Sequence, residues 1–250
     1  MAINTQRVLV AGAAGAIGRV LCHLLIADGH FVVGTTRSSA RADSLRELGV
    51  EPIVVDVFDA QALRQKIIDA RVDIVIHQLT DLPQIRTPET LAEALVRNAH
   101  LREVGTRNLV EAAIVGGVAR MIVQSVAFAY APGPRPYDET CPLNVASEDR
   151  TAATTARGVA SLEQQVLNAP FDGVVLRYGR FYGPGTWFTT PPPLGTAVHV
   201  EAAADAARRA VSHGQPGIYN VAEEDGTVSC AKAHRELGWD PGFRIARNQS

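Results

Sequence analysis

One stretch, Val8-Leu9-Val10-Ala11-Gly12-Ala13-Ala14-Gly15-Ala16-Ile17-Gly18, limits what this chain can fold into more than any other. An apolar run meets glycines spaced three apart, and a helical pattern follows at once. The stretch reads as strand, phosphate-binding turn and helix. Gly12 permits the tight turn, Gly15 lets a pyrophosphate approach the backbone, and Gly18 lets the helix lie close to the strand. Ile17, Val20, Leu21, Leu24 and Leu25 recur at the spacing of a helix packed on a sheet. The helix start at Ala16 and Ile17 offers free N–H groups and a partial positive charge to phosphate. The feature predicts a bound dinucleotide.

Apolar strands and helices then alternate. Strands are expected at Phe31–Thr35, Glu51–Val55, Ile74–His77 and Met121–Gln124, and helices at Ser39–Leu48, Ala60–Ala70 and Pro88–Val115. Such alternation implies an α/β, Rossmann-type, doubly wound parallel sheet with ligands at the carboxyl ends of its strands. The expected organisation is a single domain over residues 1–250. It divides into a dinucleotide-binding core, 1–177, and a reduced C-terminal substrate-side subdomain, 178–250, interleaved with the core. The Ala-rich stretch Ala202–Ala210 reads as a small helix on the core.

Bulk composition excludes several function classes. A 46% hydrophobic content supports a packed core. The net charge of -2, with no cluster of Arg and Lys, gives no footprint for nucleic acid. The cysteines, Cys22, Cys141 and Cys230, are odd in number and far apart, which suggests neither a disulfide framework nor a zinc site. They fit free thiols in a reducing cytoplasm. No apolar run reaches about 18 residues, and Met1 to Arg7 leads straight into the first strand, so neither a membrane span nor a signal peptide is expected. The expected setting is cytoplasmic.

The end of the second strand bears on which dinucleotide is taken. An acidic residue there accepts from the adenosine ribose, whereas an Arg pairs with the 2′-phosphate of NADP. The residues are Thr35-Thr36-Arg37-Ser38-Ser39, with no carboxylate. Arg37 with Ser38 points to NADP(H), with NAD(H) as the alternative; Arg37 also reads as a solvated loop charge. Asp56, beside Val57 after the third strand, is placed to accept from the adenine amino group, or to serve as an N-cap or turn residue before the next helix.

Together these residues resemble the extended short-chain dehydrogenase/reductase superfamily, the group that includes nucleotide-sugar epimerases and dehydratases. The resemblance rests on Gly12 to Gly18, Asp73 to Thr80, Gly105 to Ala113, Gln124-Ser125 through Tyr130, Arg177 to Gly185, His199-Val200-Glu201 and Gly217 to Val221. Glu236 to Pro241 is similar to the group's closing segment. The resemblance implies that Gln78, Leu79 and Thr80 line the cofactor near its ribose and phosphates, and that Tyr178, Gly179 and Arg180 lie near the nicotinamide. It also implies a homodimer through two helices, including the Pro88–Val115 region.

The resemblance breaks at the chemistry. The group works with a Tyr and a Lys four residues later on one helix, plus a Ser or Thr after the fifth strand; the Lys lowers the Tyr pKa so that the phenol exchanges a proton. The helix that corresponds is Arg150–Leu167, where the Tyr position falls on Thr155 and the Lys position on Val159. The chain's lysines are Lys66 and Lys232, and neither follows a Tyr at that spacing. The usual Ser/Thr position falls on Val126, with Ser125 one place earlier. Few residues separate Gly185 from His199, so the substrate lid is expected to be small.

Ser125 and Tyr130 are the catalytic candidates that remain. Ser125 reads as a donor to a substrate carbonyl or as strand-end capping, and Tyr130 as a substitute acid or as packing at the loop entrance. His77 reads as a satisfied core histidine, His199 and Glu201 as structural residues opening a helix, and Asp138-Glu139 as solvent-facing. No metal-ligand or Ser/His/Asp spacing is present. The reading is an oxidoreductase or epimerase acting on a small carbonyl or sugar-like substrate with non-standard catalytic residues. The alternative is a catalytically silent dinucleotide-binding redox sensor or scaffold.

Overall fold

The computed structural model describes residues 5–83, 87–193 and 195–246. Met1–Asn4, on which the expectation of no signal peptide partly rested, lies outside the described residues. In chain order the strands are β1 (Arg7–Ala11), β2 (Phe31–Thr36), β3 (Glu51–Val54), β4 (Ile74–His77), β5 (Arg120–Val126), β6 (Asp172–Tyr178), β7 (Arg180–Tyr182), β8 (Ala197–His199) and β9 (Gly217–Val221). The helices are α1 (Ala16–Ala27), α2 (Ser39–Glu47), α3 (Ala60–Ala70), α4 (Pro88–His100), α5 (Thr106–Val115), α6 (Arg150–Leu167), α7 (Val200–Arg209) and α8 (Ala231–Leu237).

The main sheet is parallel, in the order β3-β2-β1-β4-β5-β6-β9. Its central strands are buried on both faces, which is why they read as unbroken apolar runs. One face packs Leu21 and Leu25 of α1 with the alanines of α7, and the other packs Leu63 and Ile67 of α3 with Leu109 of α5 and Leu162 of α6. Winding reverses between β1 and β4, which opens a crevice at their carboxyl ends. A small parallel pair, β7 with β8, stands beyond β6. Trp239 holds α7 in place by donating from Nε1 to the Ala202 carbonyl at 2.8 Å.

The helix expected over Pro88–Val115 is interrupted. Residues Leu101–Gly105 form a π-helical turn, with Thr106 N donating five residues back to Leu101 O. A Cβ at Gly105 would meet Leu101 Cδ1 at 2.8 Å and Val57 Cγ1 at 3.3 Å, so Leu101 packs into room that only glycine leaves. Among the described residues no helix is long and apolar enough to cross a membrane.

Candidate functional site

Gly12 turns the chain out of β1 at φ +93°, and a Cβ there would lie 2.8 Å from the Gln78 carbonyl oxygen. A Cβ on Gly18 would come within 2.1 Å of the Gly12 carbonyl oxygen, so α1 can begin against this turn only with glycine there. Gly15 is the α1 N-cap and makes no side-chain cap bond, leaving the helix start at Ala16 and Ile17 uncapped by any side chain. Gly185, in the turn after β7, comes close to Ala16 from the other side.

The segment after β4 forms the opposite lip. Both polar atoms of the Gln78 side chain are buried and have no close hydrogen-bond partner among the described residues, although the amide lies near enough to the Tyr178 phenol to influence it. His77 Nδ1 accepts from Leu79 N at 3.1 Å, so Nε2 carries the hydrogen and faces Thr106 Oγ1 at 3.2 Å. Burial first, and then the Arg102 charge, pull the His77 pKa down to about 4. His77 is therefore the satisfied core histidine expected, and it sets the path of Leu79 and the exposed Thr80.

At the far end of the crevice Arg37 is exposed just past β2 and forms no ion pair among the described residues. Ser38, the N-cap of α2, donates its N–H to Thr36 Oγ1 at 3.2 Å and keeps its own hydroxyl free of a cap bond. Asp56 Oδ1 accepts from Phe58 N at 3.0 Å, and the Val57 carbonyl accepts from Asn108 at 2.9 Å. The Asp56 bond is the local turn that the sequence allowed, and the N-cap of α3 is Asp59.

The catalytic candidates lie inside a buried polar network. Ser125 is fully buried and donates to Glu163 Oε1 at 2.6 Å. Glu163 is gripped by Arg177, whose Nη1 also donates to the Tyr130 hydroxyl at 2.9 Å, and Tyr130 donates to Asn220 Oδ1 at 2.6 Å. Ser125 therefore does not face a substrate, which corrects that expectation. The β5–β6 register pairs it with Arg177, and both side chains point under α6. Burial pushes the Tyr130 phenol up to about 12, despite the neighbouring Arg177 charge. Burial would pull Arg177 down, but Glu163 and Tyr130 outweigh it and hold the guanidinium above its usual value.

Glu139 also departs from expectation. Its carboxylate accepts from Asn220 N at 2.8 Å, so it turns inward while Asp138 remains exposed. The positions where the resemblance puts the Ser/Thr and Lys are closed. Val126 and Val159 pack with Ala129 and Ala156 in an apolar cluster of their own. An ammonium placed there would be desolvated and unpaired.

A cleft of about 510 Å³ opens beyond the ends of β5 and β6, lined by Phe128, Tyr130, Arg135, Tyr137, Arg180 and Thr196 among others. The half-buried Arg180 guanidinium stacks 4.1 Å above the Phe128 ring, and burial lowers its pKa. It makes no ion pair or side-chain hydrogen bond among the described residues. Arg135 lies 5.9 Å from the Tyr137 ring centre. Asp225, which touches this wall, spends its oxygens on the amides of Thr196 and Thr227. The Tyr178 side chain points away from the cleft, its hydroxyl on the Ala203 carbonyl at 3.2 Å. Tyr178 can therefore meet a cofactor only through its backbone, as can Gly179, where a Cβ would strike Thr196 O at 2.5 Å.

A nicotinamide dinucleotide fits these residues. The glycine cradle excludes side chains, the helix start is uncapped, and the buried Gln78 amide lacks a close partner among the described residues. Fold and site together define a Rossmann-type dinucleotide-binding enzyme. The sequence matches the NAD dependent epimerase/dehydratase family over residues 8–193. It is 39% identical over 239 residues to a 3-diazoavenalumate denitrifying reductase from a Streptomyces species, covering 88% of this chain and 77% of that one. A UDP-glucose 4-epimerase of Mycolicibacterium smegmatis is 33% identical over 149 residues, or 57% of this chain and 46% of the epimerase. The fold is that of the Thermus thermophilus UDP-glucose 4-epimerase in complex with NAD, with a TM-score of 0.74, 22% identity and coverage of 96% and 95% of the two chains. The chain belongs to the NAD dependent epimerase/dehydratase family, and it is an oxidoreductase- or epimerase-like enzyme.

Proposed function

We propose that this chain is an NADP(H)-preferring reductase of a small, planar, anionic substrate, with an aromatic diazo carboxylate as the best match. The observation that carries the reading is Arg180, a half-buried guanidinium stacked on Phe128 in the cleft and left without a carboxylate among the described residues. A guanidinium so placed binds a substrate carboxylate through paired hydrogen bonds, and the Phe128 and Tyr137 rings suit a flat partner. The Streptomyces relative, named for a diazo compound that is also a carboxylate, supports the same class.

In this reading Gly12, Gly15, Ala16, Ile17 and Gly18 hold the pyrophosphate, and Gln78, Leu79 and Thr80 the adjoining ribose. Arg37 and Ser38 take the 2′-phosphate, Asp56 and Val57 border the adenine, and the Tyr178–Gly179 backbone borders the nicotinamide. A bound reduced nicotinamide would supply a hydride, and exchange of a diazonium nitrogen pair for a hydride would give the arene and dinitrogen with no proton consumed. This balance suits a site where Val126 and Val159 are packed together and the hydroxyls of Ser125 and Tyr130 are already committed. Arg180 orients the substrate, and Tyr130 forms part of the cleft wall.

The test uses NADPH deuterated at both C4 positions with a water-soluble arenediazonium carboxylate. Deuterium on the ring carbon that carried nitrogen, with dinitrogen released, is expected. Arg180→Met should raise KM for that substrate at least about tenfold more than for its neutral ester, the loss of a charged hydrogen bond. NADPH binding without deuterium transfer to this substrate or to a carbonyl panel would favour the silent binder instead.

A further inference from the structure

We propose that Arg102, on the π-turn, supplies the cation that α6 lacks and holds the nicotinamide-side ribose of the bound dinucleotide. The proposal rests on the dinucleotide assignment above but not on the identity of the substrate.

Arg102 is placed by an irregularity, not by a regular helix. The π-turn Leu101–Gly105 shifts its side chain relative to a continuous α4–α5 helix, and single π-turns inside helices recur at functional sites. The stem lies against α6 where that helix has its one residue without a side chain to intervene. A Cβ on Gly158 would be 3.1 Å from Ala99 Cα and 3.4 Å from both Ala99 Cβ and Arg102 Cδ. The next residue, Val159, occupies the position where the Tyr-Lys arrangement would put its Lys, and it is fully buried among aliphatic groups.

The turn that carries Arg102 meets the dinucleotide side, where Thr106 Oγ1, at the end of that turn, lies 3.2 Å from His77 Nε2. The Arg102 charge acts on His77 at the carboxyl end of β4. His77 in turn holds Leu79 N, and the Gln78 carbonyl packs against Gly12. Arg102 thus stands on the turn between that lip and α6.

Arg102 is covered yet has no partner among the described residues. Arg120, Arg177, Arg208 and Arg209, which are also largely covered, each form an ion pair with a carboxylate. Arg102 forms neither an ion pair nor a side-chain hydrogen bond among the described residues, and burial lowers its pKa to about 10, so it remains a cation at neutral pH. A guanidinium offers five N–H donors in one plane, suited to the oxygens of two neighbouring ribose hydroxyls.

The test separates the two halves of the cofactor. Dissociation constants of NADPH and of adenosine 2′,5′-bisphosphate, which lacks the nicotinamide half, are measured by calorimetry on the full chain. Arg102→Leu is expected to weaken NADPH at least about tenfold, the loss of charged hydrogen bonds, and the bisphosphate by less than about twofold. Arg102→Lys should recover part of the NADPH affinity. If Arg102→Leu does not fold, the same ratio is read on Arg102→Gln, which keeps the stem. Equal loss on both ligands, or loss on neither, overturns the proposal. NADPH binding that depends on Arg102 without hydride transfer upholds it while overturning the reductase reading.

Discussion

Arg177 grips Glu163 through parallel bonds, Nε to Oε1 at 2.9 Å and Nη2 to Oε2 at 2.7 Å, with the two side chains 4% and 6% exposed. The pair ties β6 to α6, and through Ser125 it also ties β5. Both charges left water to form it, so either one alone would be an uncompensated buried ion. The Arg177 cation is spent on structure.

Glu163→Leu or Arg177→Met should therefore destabilise the fold by about 3–5 kcal/mol. The double substitution Glu163→Leu with Arg177→Met should recover much of that loss, because no unpaired charge remains. Urea unfolding of the single and double variants decides it, and a double variant as unstable as the sum of the singles would contradict the account.

Tyr130→Phe removes a hydroxyl that donates to Asn220 and accepts from Arg177. The expected result is a loss of about 1–3 kcal/mol of stability with kcat changed less than about threefold. A large drop in kcat at unchanged stability would show that the phenol takes part in the reaction.

His77 links stability to pH. Its folded pKa of about 4 lies below the ordinary value of 6.5, so the unfolded chain takes up the proton first as pH falls. The stability it contributes is fully present above about pH 6.5, is lost between 6.5 and 4, and declines no further below 4. The loss is on the order of 3 kcal/mol. His77→Gln, which can still accept from Leu79 and donate to Thr106, should flatten the stability curve across that window.

Arg37→Ala should weaken NADPH binding by about tenfold or more and NADH binding by less than about twofold, the difference being one charge-assisted contact to the 2′-phosphate. Direct titration with both cofactors reads the ratio. An equal effect on the two would remove Arg37 from cofactor selection.

The glycine turn was legible because its requirements are local. Gly12 needs a positive φ, and Gly18 must come within reach of the Gly12 carbonyl, so residue type at those positions carries the geometry directly. The alternation of apolar strands with helices likewise announces a covered parallel sheet. The absent Tyr and Lys could also be counted from the chain.

The orientation of the remaining polar residues could not be read that way. Ser125 meets Glu163 across 38 residues and Tyr130 meets Asn220 across 90, so the network exists only once the β5–β6–β9 register and the α6 packing are set. Glu139 gave no local sign that it would turn inward. The π-turn depends on Leu101 finding room beside Gly105 and Val57, from distant parts of the chain. The sequence by itself determined the tight glycine turn at Gly12–Gly18 and put Thr155 and Val159 where the resemblance expects a Tyr and a Lys. Tertiary structure alone decided that Ser125 is sealed away and that Arg102 and Arg180 have no ion-pair partner among the described residues, because burial and pairing depend on which distant side chains the packing brings together.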